Sequence, residues 1–390
     1  MRNYSVISGD GHTEVPAEAW TQRVPAKFRE FAPRLVVTEN GNSAWRMAEF
    51  EKENWGNLVG ELAYDETLPG CWTYHFPDGT PRPGTGDAAQ RLREQDADGI
   101  DAEVLFPPVH GPKFLRLMIG KNKDAYESFI RAYNDWLALD YCSVAPDRLI
   151  GNALVPETGV DAAIAELERA KSMGLPGVYI GMWPNGGPTP APEDDRFWAA
   201  TIDLEMSVAP HFTFGGGWQL DEIGMPQDGR FRVFAQGTEQ PCARNVVSLI
   251  VNGVFDRFPA LRLYFAETGC SWLPAALNSL DEFYARWYTY WDVQLRMLPS
   301  DYFREHCIFN FIDDRLAMKF RYYIGLHMLT WGTDFPHSVG TFPHTTEILE
   351  DLFEGVPDGE KRQVLVDNVC RFYRLDPQHD ITPTPVAAGL

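Results

Sequence analysis

Short apolar runs alternate with helix-length amphipathic segments through almost the whole of this chain, and that alternation limits the fold more than any other feature. Runs of this kind, each followed by a stretch with helical periodicity, describe parallel strands joined by helices. Eight can be counted: Tyr4–Asp10, Ala102–Pro108, Leu149–Pro156, Gly177–Gly181, Ser207–Phe212, Leu261–Glu267, His306–Ile312 and His327–Asp334. Between two of them, Val160, Ala163, Ile164 and Leu167 recur at helical spacing, and Gly174 and Pro176 end the segment. Eight strand–helix units predict an α/β chain closed into a (β/α)8 TIM barrel with a long insertion after the first strand.

One such barrel with insertions accommodates 390 residues, so a single domain spanning 1–390 is expected. From 15 to 86 the alternation gives way to Pro, Gly and the spread tryptophans Trp20, Trp45, Trp55 and Trp72, which reads as an inserted lid over the site. Residues 376–390, punctuated by proline, read as a C-terminal arm lying on the surface.

Composition excludes several classes of partner. A formal charge of −21 without a basic stretch opposes nucleic acid and anionic membrane surfaces. Nothing resembles a run of eighteen apolar residues or a signal peptide, so a cytoplasmic location is expected. The six cysteines are scattered without CxxC pairs and read as reduced core residues. The partner that remains is a small-molecule substrate.

Barrel chemistry is carried by side chains at the carboxyl ends of strands. Strand one ends in SGDGHTE, where Asp10, His12 and Glu14 alternate and project to one side of an extended backbone. Strand five ends at His211, strand six at Glu267, and strand eight at Asp334 with His337 three residues beyond. Carboxylates gathered at several inner strand ends are too costly to bury without a cation. Asp10, His12, Glu14, His211, Glu267 and Asp334 are therefore the expected metal ligands, and Glu267, Asp334 and His337 the expected proton-handling residues. Nitrogen and oxygen donors suit one or two divalent ions of zinc, manganese, cobalt or iron. Phe212, Trp218 and Trp272 beside these positions, and His110 after strand two, are the expected substrate contacts. His306 and His327 begin their strands, at the stability face, and are expected to be structural. Gly215, Gly216 and Gly217 lack the following lysine of a phosphate loop.

At these residues the chain resembles the amidohydrolase superfamily, in the branch of aminocarboxymuconate semialdehyde decarboxylase and related metal-dependent hydrolases. The likeness rests on the DGH start at Asp10 to His12, WTQRVPAKFREFAPRL, DADGIDAEVLFPP, HF at His211, FAETGCSWLP, WGTDFPH and DNVCRFYRL. It implies that Asp10, His12, His211 and Asp334 hold metal, with Glu267 in a strand-six place where relatives often carry His. Two departures stand out: many relatives begin His-x-His, and many carry a Glu where this chain has Val15. The resemblance implies hydrolysis or non-oxidative decarboxylation of a small organic acid or carbonyl compound through metal-activated water or Lewis-acid catalysis, in a homodimer. The carboxylate-rich donor set keeps a second reading open, a non-haem diiron monooxygenase on the same barrel that hydroxylates an apolar or aromatic substrate.

Overall fold

The computed structural model describes residues 3–37, 39, 41, 43–47, 75, 76, 78–108, 112–216, 241–337 and 339–384. Eight parallel strands form its centre: β1 (Ile7–His12), β4 (Ala102–Phe106), β5 (Leu149–Leu154), β6 (Gly177–Ile180), β7 (Ser207–Pro210), β8 (Leu263–Phe265), β9 (Cys307–Phe311) and β10 (Leu329–Trp331). They neighbour one another in that order. Backbone bonds from Asp334 N–H to the Asp10 carbonyl (2.9 Å) and from His12 N–H to the Phe335 carbonyl (2.7 Å) join the last strand's extension to the first. The (β/α)8 expectation and all eight strand locations are borne out. β4 shows why they were visible: every residue of AEVLF is buried, as a strand covered on both faces requires.

The remaining two strands, β2 (Arg34–Val37) and β3 (Ser43–Arg46), pair antiparallel within the insertion. A short helix α1 (Ala17–Gln22) precedes them. Trp20 and Trp45 are buried here, as part of the core that continues from the barrel. Trp55 and Trp72 lie outside the described residues, as does most of the segment read as a lid. Of the segment read as an arm, Thr382 N–H donates to Asp147 (2.6 Å) and the Thr384 hydroxyl accepts from Arg148 (2.8 Å). The last residues, 385–390, lie outside the described set.

The helices follow local rules. α2 (Ala88–Asp98) begins where the Asp87 carboxylate accepts from Gln90 N–H (2.8 Å) and ends at Gly99 in the left-handed conformation. The amphipathic segment read from the sequence is α3 (Val160–Ser172), with Val160, Ala163 and Leu167 buried. α4 (Leu273–Trp287) follows β8, and α5 (Arg315–Lys319) follows β9. The loops before these two share one carboxylate: Asp314 caps Ala317 N–H (2.9 Å) through Oδ1 and takes Cys270 N–H (2.8 Å) and Ser271 N–H (2.7 Å) on Oδ2. Three charge-assisted bonds at one residue predict that Asp314→Ala lowers stability by about 2 kcal/mol, read from denaturant midpoints at an unchanged slope.

The barrel interior carries a polar hub. Tyr264 on β8 donates to the Gly9 carbonyl (2.9 Å) and accepts from Thr330 (2.8 Å) and Asn310 (3.2 Å). A Cβ at position 9 would stand 2.0 Å from the Tyr264 oxygen, so only glycine lets β1 approach this closely. His306 and His327 are structural, as expected. The His306 ring stacks on Phe255 at 4.2 Å and donates from Nδ1 to the Leu261 carbonyl (2.8 Å), and His327 donates from Nε2 to the Arg304 carbonyl (3.0 Å). Five cysteines, Cys142, Cys242, Cys270, Cys307 and Cys370, are buried free thiols, and Cys71 lies outside the described residues.

Candidate metal centre

The first strand runs two residues further than its sequence pattern indicated, to His12, so Asp10 and His12 are part of the ladder. Their alternation puts both side chains on the interior face at the carboxyl end. Across the barrel, His211 follows β7 and bridges Ala266, which brings Glu267 beside it. Asp334 and His337 extend from β10. Glu267 and Asp334 both adopt positive φ, 52° and 54°, a conformation that costs about 1–3 kcal/mol in a residue with a side chain. At both residues the left-handed turn stands at the end of a strand, where the carboxylate meets the cluster. Gly332 makes room for it: a Cβ there would lie 2.7 Å from Asp10 N.

Five side chains meet in two overlapping triads, Asp10, His12 and His211, and His12, Asp334 and His337. His12 Nε2 stands 3.2 Å from Asp334 Oδ1 and 3.7 Å from Asp10 Oδ1, while His211 Nε2 stands 3.6 Å from Asp10 Oδ1. Glu267 Oε2 lies 3.7 Å from His211 Nδ1 and completes the rim. His337 stacks on His12 at 4.0 Å and contacts Asp334 through Nδ1 at 3.0 Å. Glu14 is buried but belongs to neither triad, because the strand ends at His12 and the alternation stops with it. Phe106 was not foreseen; it lies 5.1 Å from the His211 ring and 6.1 Å from His12, walling one side of the cluster. Its place at the end of the strand-two run, before Pro107, was the available signal.

Phe212 contacts the His211 ring at 5.1 Å. Trp272 is held by its own loop: its indole N–H donates to the Thr268 (3.2 Å) and Gly269 (3.1 Å) carbonyls and its ring meets Phe309 edge-on at 5.5 Å. His110 and Trp218 lie outside the described residues.

The electrostatics are those of a buried anionic cluster. Burial, then the Asp334 charge, pushes the Asp10 carboxyl up to about 8. Glu267 is raised well above the usual carboxylate range by burial and by its neighbours Asp334 and Asp10. Burial also acts to raise Asp334, but the charge of His337 and the hydrogen bond from its Nδ1 outweigh it and hold Asp334 well below its ordinary value. Burial depresses His211, with His12 adding to the effect. His337 is raised despite burial because it faces Asp334.

The donors fit a cation. Both oxygens of Asp10, Nε2 of His12 and of His211, Oε2 of Glu267 and Oδ1 of Asp334 are buried without a hydrogen-bond partner of acceptable geometry. Unpaired polar atoms of this number in one place are otherwise prohibitively costly. His12 is oriented for the task, since the Pro107 carbonyl 2.8 Å from Nδ1 can only accept, which fixes the proton on Nδ1 and leaves the Nε2 lone pair facing the cluster. Two ligands each about 2.1 Å from a tetrahedral ion stand about 3.4 Å apart, and the spacings found bracket that value.

Behind the ligands sits an ion pair not foreseen from the sequence. Arg91 on α2 and Glu103 on β4 are both buried, joined by Nε to Oε2 (2.6 Å) and Nη2 to Oε1 (3.1 Å). Gln95 adds a donor to Glu103 (2.7 Å). Arg91 Nη2 also donates to the Phe335 carbonyl (3.1 Å), the same oxygen that receives His12 N–H.

Known proteins agree with this architecture. An amidohydrolase family model matches residues 72–375. The 2-amino-3-carboxymuconate-6-semialdehyde decarboxylase of Dictyostelium discoideum is 26% identical over 75% of this chain and 77% of its own. An amidohydrolase from Mycobacterium avium subsp. paratuberculosis K-10 superposes with a TM-score of 0.72 at 17% identity, over 96% of this chain and 100% of its own. The 5-carboxyvanillate decarboxylase of Novosphingobium aromaticivorans, solved with manganese and 4-hydroxy-3-methoxy-5-nitrobenzoic acid, gives 0.64 at 17% identity over 95% of this chain and 96% of its own. The motif resemblance is thereby borne out, and none of these three is an oxygenase by name. With the matched segment covering well over half of its length, the chain belongs to the amidohydrolase family.

Proposed function

We propose that this chain is a metal-dependent enzyme that decarboxylates a small aromatic or enoic acid without oxidation. The observation that carries the reading is the set of buried, unpartnered nitrogen and oxygen atoms on Asp10, His12, His211, Glu267 and Asp334. The decarboxylases among its relatives support the reaction class, and the manganese in the Novosphingobium enzyme supports a divalent ion. Asp10, His12, His211 and Asp334 would hold one ion, because the two triads share His12 and so describe one centre. When bound, the ion supplies a Lewis acid that fixes the substrate acid and draws off negative charge. His12 is held in its ligating tautomer by the Pro107 carbonyl. His337 keeps Asp334 anionic by sharing a proton at Nδ1. Glu267, raised by burial and by two carboxylates, holds a proton at the rim; as carbon dioxide departs, the electron pair left on the substrate carbon takes that proton. Phe106 and Phe212 supply an apolar wall against water. The cytoplasmic, homodimeric state expected from the sequence belongs to the same proposal; among the described residues no helix is long and apolar enough to cross a membrane.

The test is carbon dioxide release from a panel of hydroxybenzoic and enoic acids by manganese-loaded enzyme in the absence of oxygen. Turnover that requires oxygen would reject the proposal and restore the diiron reading. Glu267→Gln is expected to keep its metal and to lose roughly 10²–10⁴ in kcat, measured on the best substrate.

A pH prediction follows from Asp10. Its carboxyl, near 8 in the metal-free protein against an ordinary 3.8, is largely protonated at neutral pH. Ligation needs the carboxylate, so manganese uptake at pH 7 releases a proton, and affinity climbs with pH until about pH 8. In the metal-free protein the sign for stability is opposite: the contribution of Asp10 is full below its unfolded value and is lost as pH rises towards 8. Calorimetry in buffers of different ionisation enthalpy counts the proton, and uptake without release would remove Asp10 from the ligand set.

A further inference from the structure

A cavity of about 600 Å³ opens at the opposite end of the barrel from the donor cluster, at the amino ends of β7, β8, β9 and β10. Arg262, Arg304, Arg371 and Arg374 line it. Their convergence runs against the composition, because the chain has 34 basic residues to 55 acidic ones. Glu205 and Glu305 are the carboxylates of the lining, so the cavity keeps a positive surplus.

Two of the four are engaged and two have bonding capacity left: Arg262 donates to the Pro259 (2.6 Å) and Leu261 (2.9 Å) carbonyls and Arg304 to the Ser300 hydroxyl (2.8 Å). Arg304 has Asp301 at 3.6 Å and Arg262 has Glu305 at 3.8 Å. Among the described residues Arg371 and Arg374 have no carboxylate partner. Arg371 Nη2 donates to the His327 carbonyl (3.1 Å) and to Asn368 (2.8 Å), which anchors one edge of the guanidinium and leaves the other. Arg374 makes a single long bond to the Ser207 hydroxyl (3.3 Å), and its own backbone is held at φ 58° at the end of the last helix. Ile308 and Phe372 give the floor an apolar part. Planar guanidinium forks match carboxylate and phosphate oxygens two at a time, and the volume is that of a small-molecule site.

We propose that this cavity binds a small organic anion carrying two or more negative charges, separately from the metal centre. Phosphate esters and polycarboxylates share that chemistry. Isothermal titration of the manganese-loaded enzyme with fructose 1,6-bisphosphate and with tricarballylate, at fixed ionic strength and with manganese in excess, tests it. Binding of one anion per chain is expected, with Kd below about 1 mM, and whichever probe binds identifies phosphate or carboxylate as the preferred class. Arg374→Gln and Arg371→Gln should each weaken binding roughly tenfold, by loss of a charge-assisted contact, while Arg374→Gln leaves basal turnover unchanged. Failure of both anions to bind overturns the proposal. So does binding that neither substitution weakens, which would place the anion elsewhere.

Discussion

Replacing His211 by alanine is expected to abolish manganese retention and to reduce turnover by roughly 10³-fold or more, the equivalent of several kcal/mol of lost charge stabilisation. The fold should survive, because Val208 and Ala209 of β7 are buried in the core on their own account. Metal content by elemental analysis and unchanged far-ultraviolet circular dichroism read the two parts separately. A useful contrast is Asp10→Asn. It removes a carboxyl that folding forces to hold a proton beside Asp334, so it should lose metal as well, yet make the metal-free protein more stable than the parent at neutral pH. A His211→Ala protein that keeps its metal and its turnover would remove this side chain from the centre.

The second large effect is expected at Arg91→Met. Arg91 and Glu103 are both about 1% exposed, and deleting the guanidinium strands a carboxylate in the interior with Gln95 as its remaining donor. Breaking a buried pair from one side costs about 3–5 kcal/mol, whereas replacing both members with apolar residues is often close to neutral. The double variant Arg91→Met, Glu103→Met should therefore recover much of the loss in denaturant unfolding. It should not recover metal affinity, because the Phe335 carbonyl loses the donor that holds it against His12 N–H. A deficit of roughly 10–100-fold in manganese affinity is the expected remainder, the usual size for an outer support of a ligand. Full recovery of both would reduce the pair to packing.

These two cases mark what could be read from residues alone. The strands were legible because a barrel buries both faces of each, and runs such as AEVLF and LIGNAL advertise that directly. Asp10 and His12 were legible through the period of two, and His211, Glu267, Asp334 and His337 through their place just past apolar runs. Glu14 was the hardest to place from sequence: alternation is information only while the backbone stays extended, and the ladder ends at His12. Trp272 was suggested by proximity in sequence, and its indole N–H is bound to the loop that follows Glu267. Arg91 was invisible for a different reason. An arginine on an amphipathic helix is ordinarily read as solvent-facing, and its burial depends on Glu103, a charge in the middle of a strand that only the folded pairing explains. The cavity of arginines is likewise assembled from β7, β8, β9 and the last helix, with no contiguous basic stretch to announce it.

The barrel closes where its two ends are stitched together, and the donors straddle that join: the Ser8 and Thr333 hydroxyls meet at 3.0 Å although 325 positions separate them. Asp10 and His12 therefore lie on a strand that meets Asp334 only when the first strand has paired with the extension of the last. A cation held by these donors, as proposed above, would bridge the join, so metal loading and closure of the cylinder would favour one another.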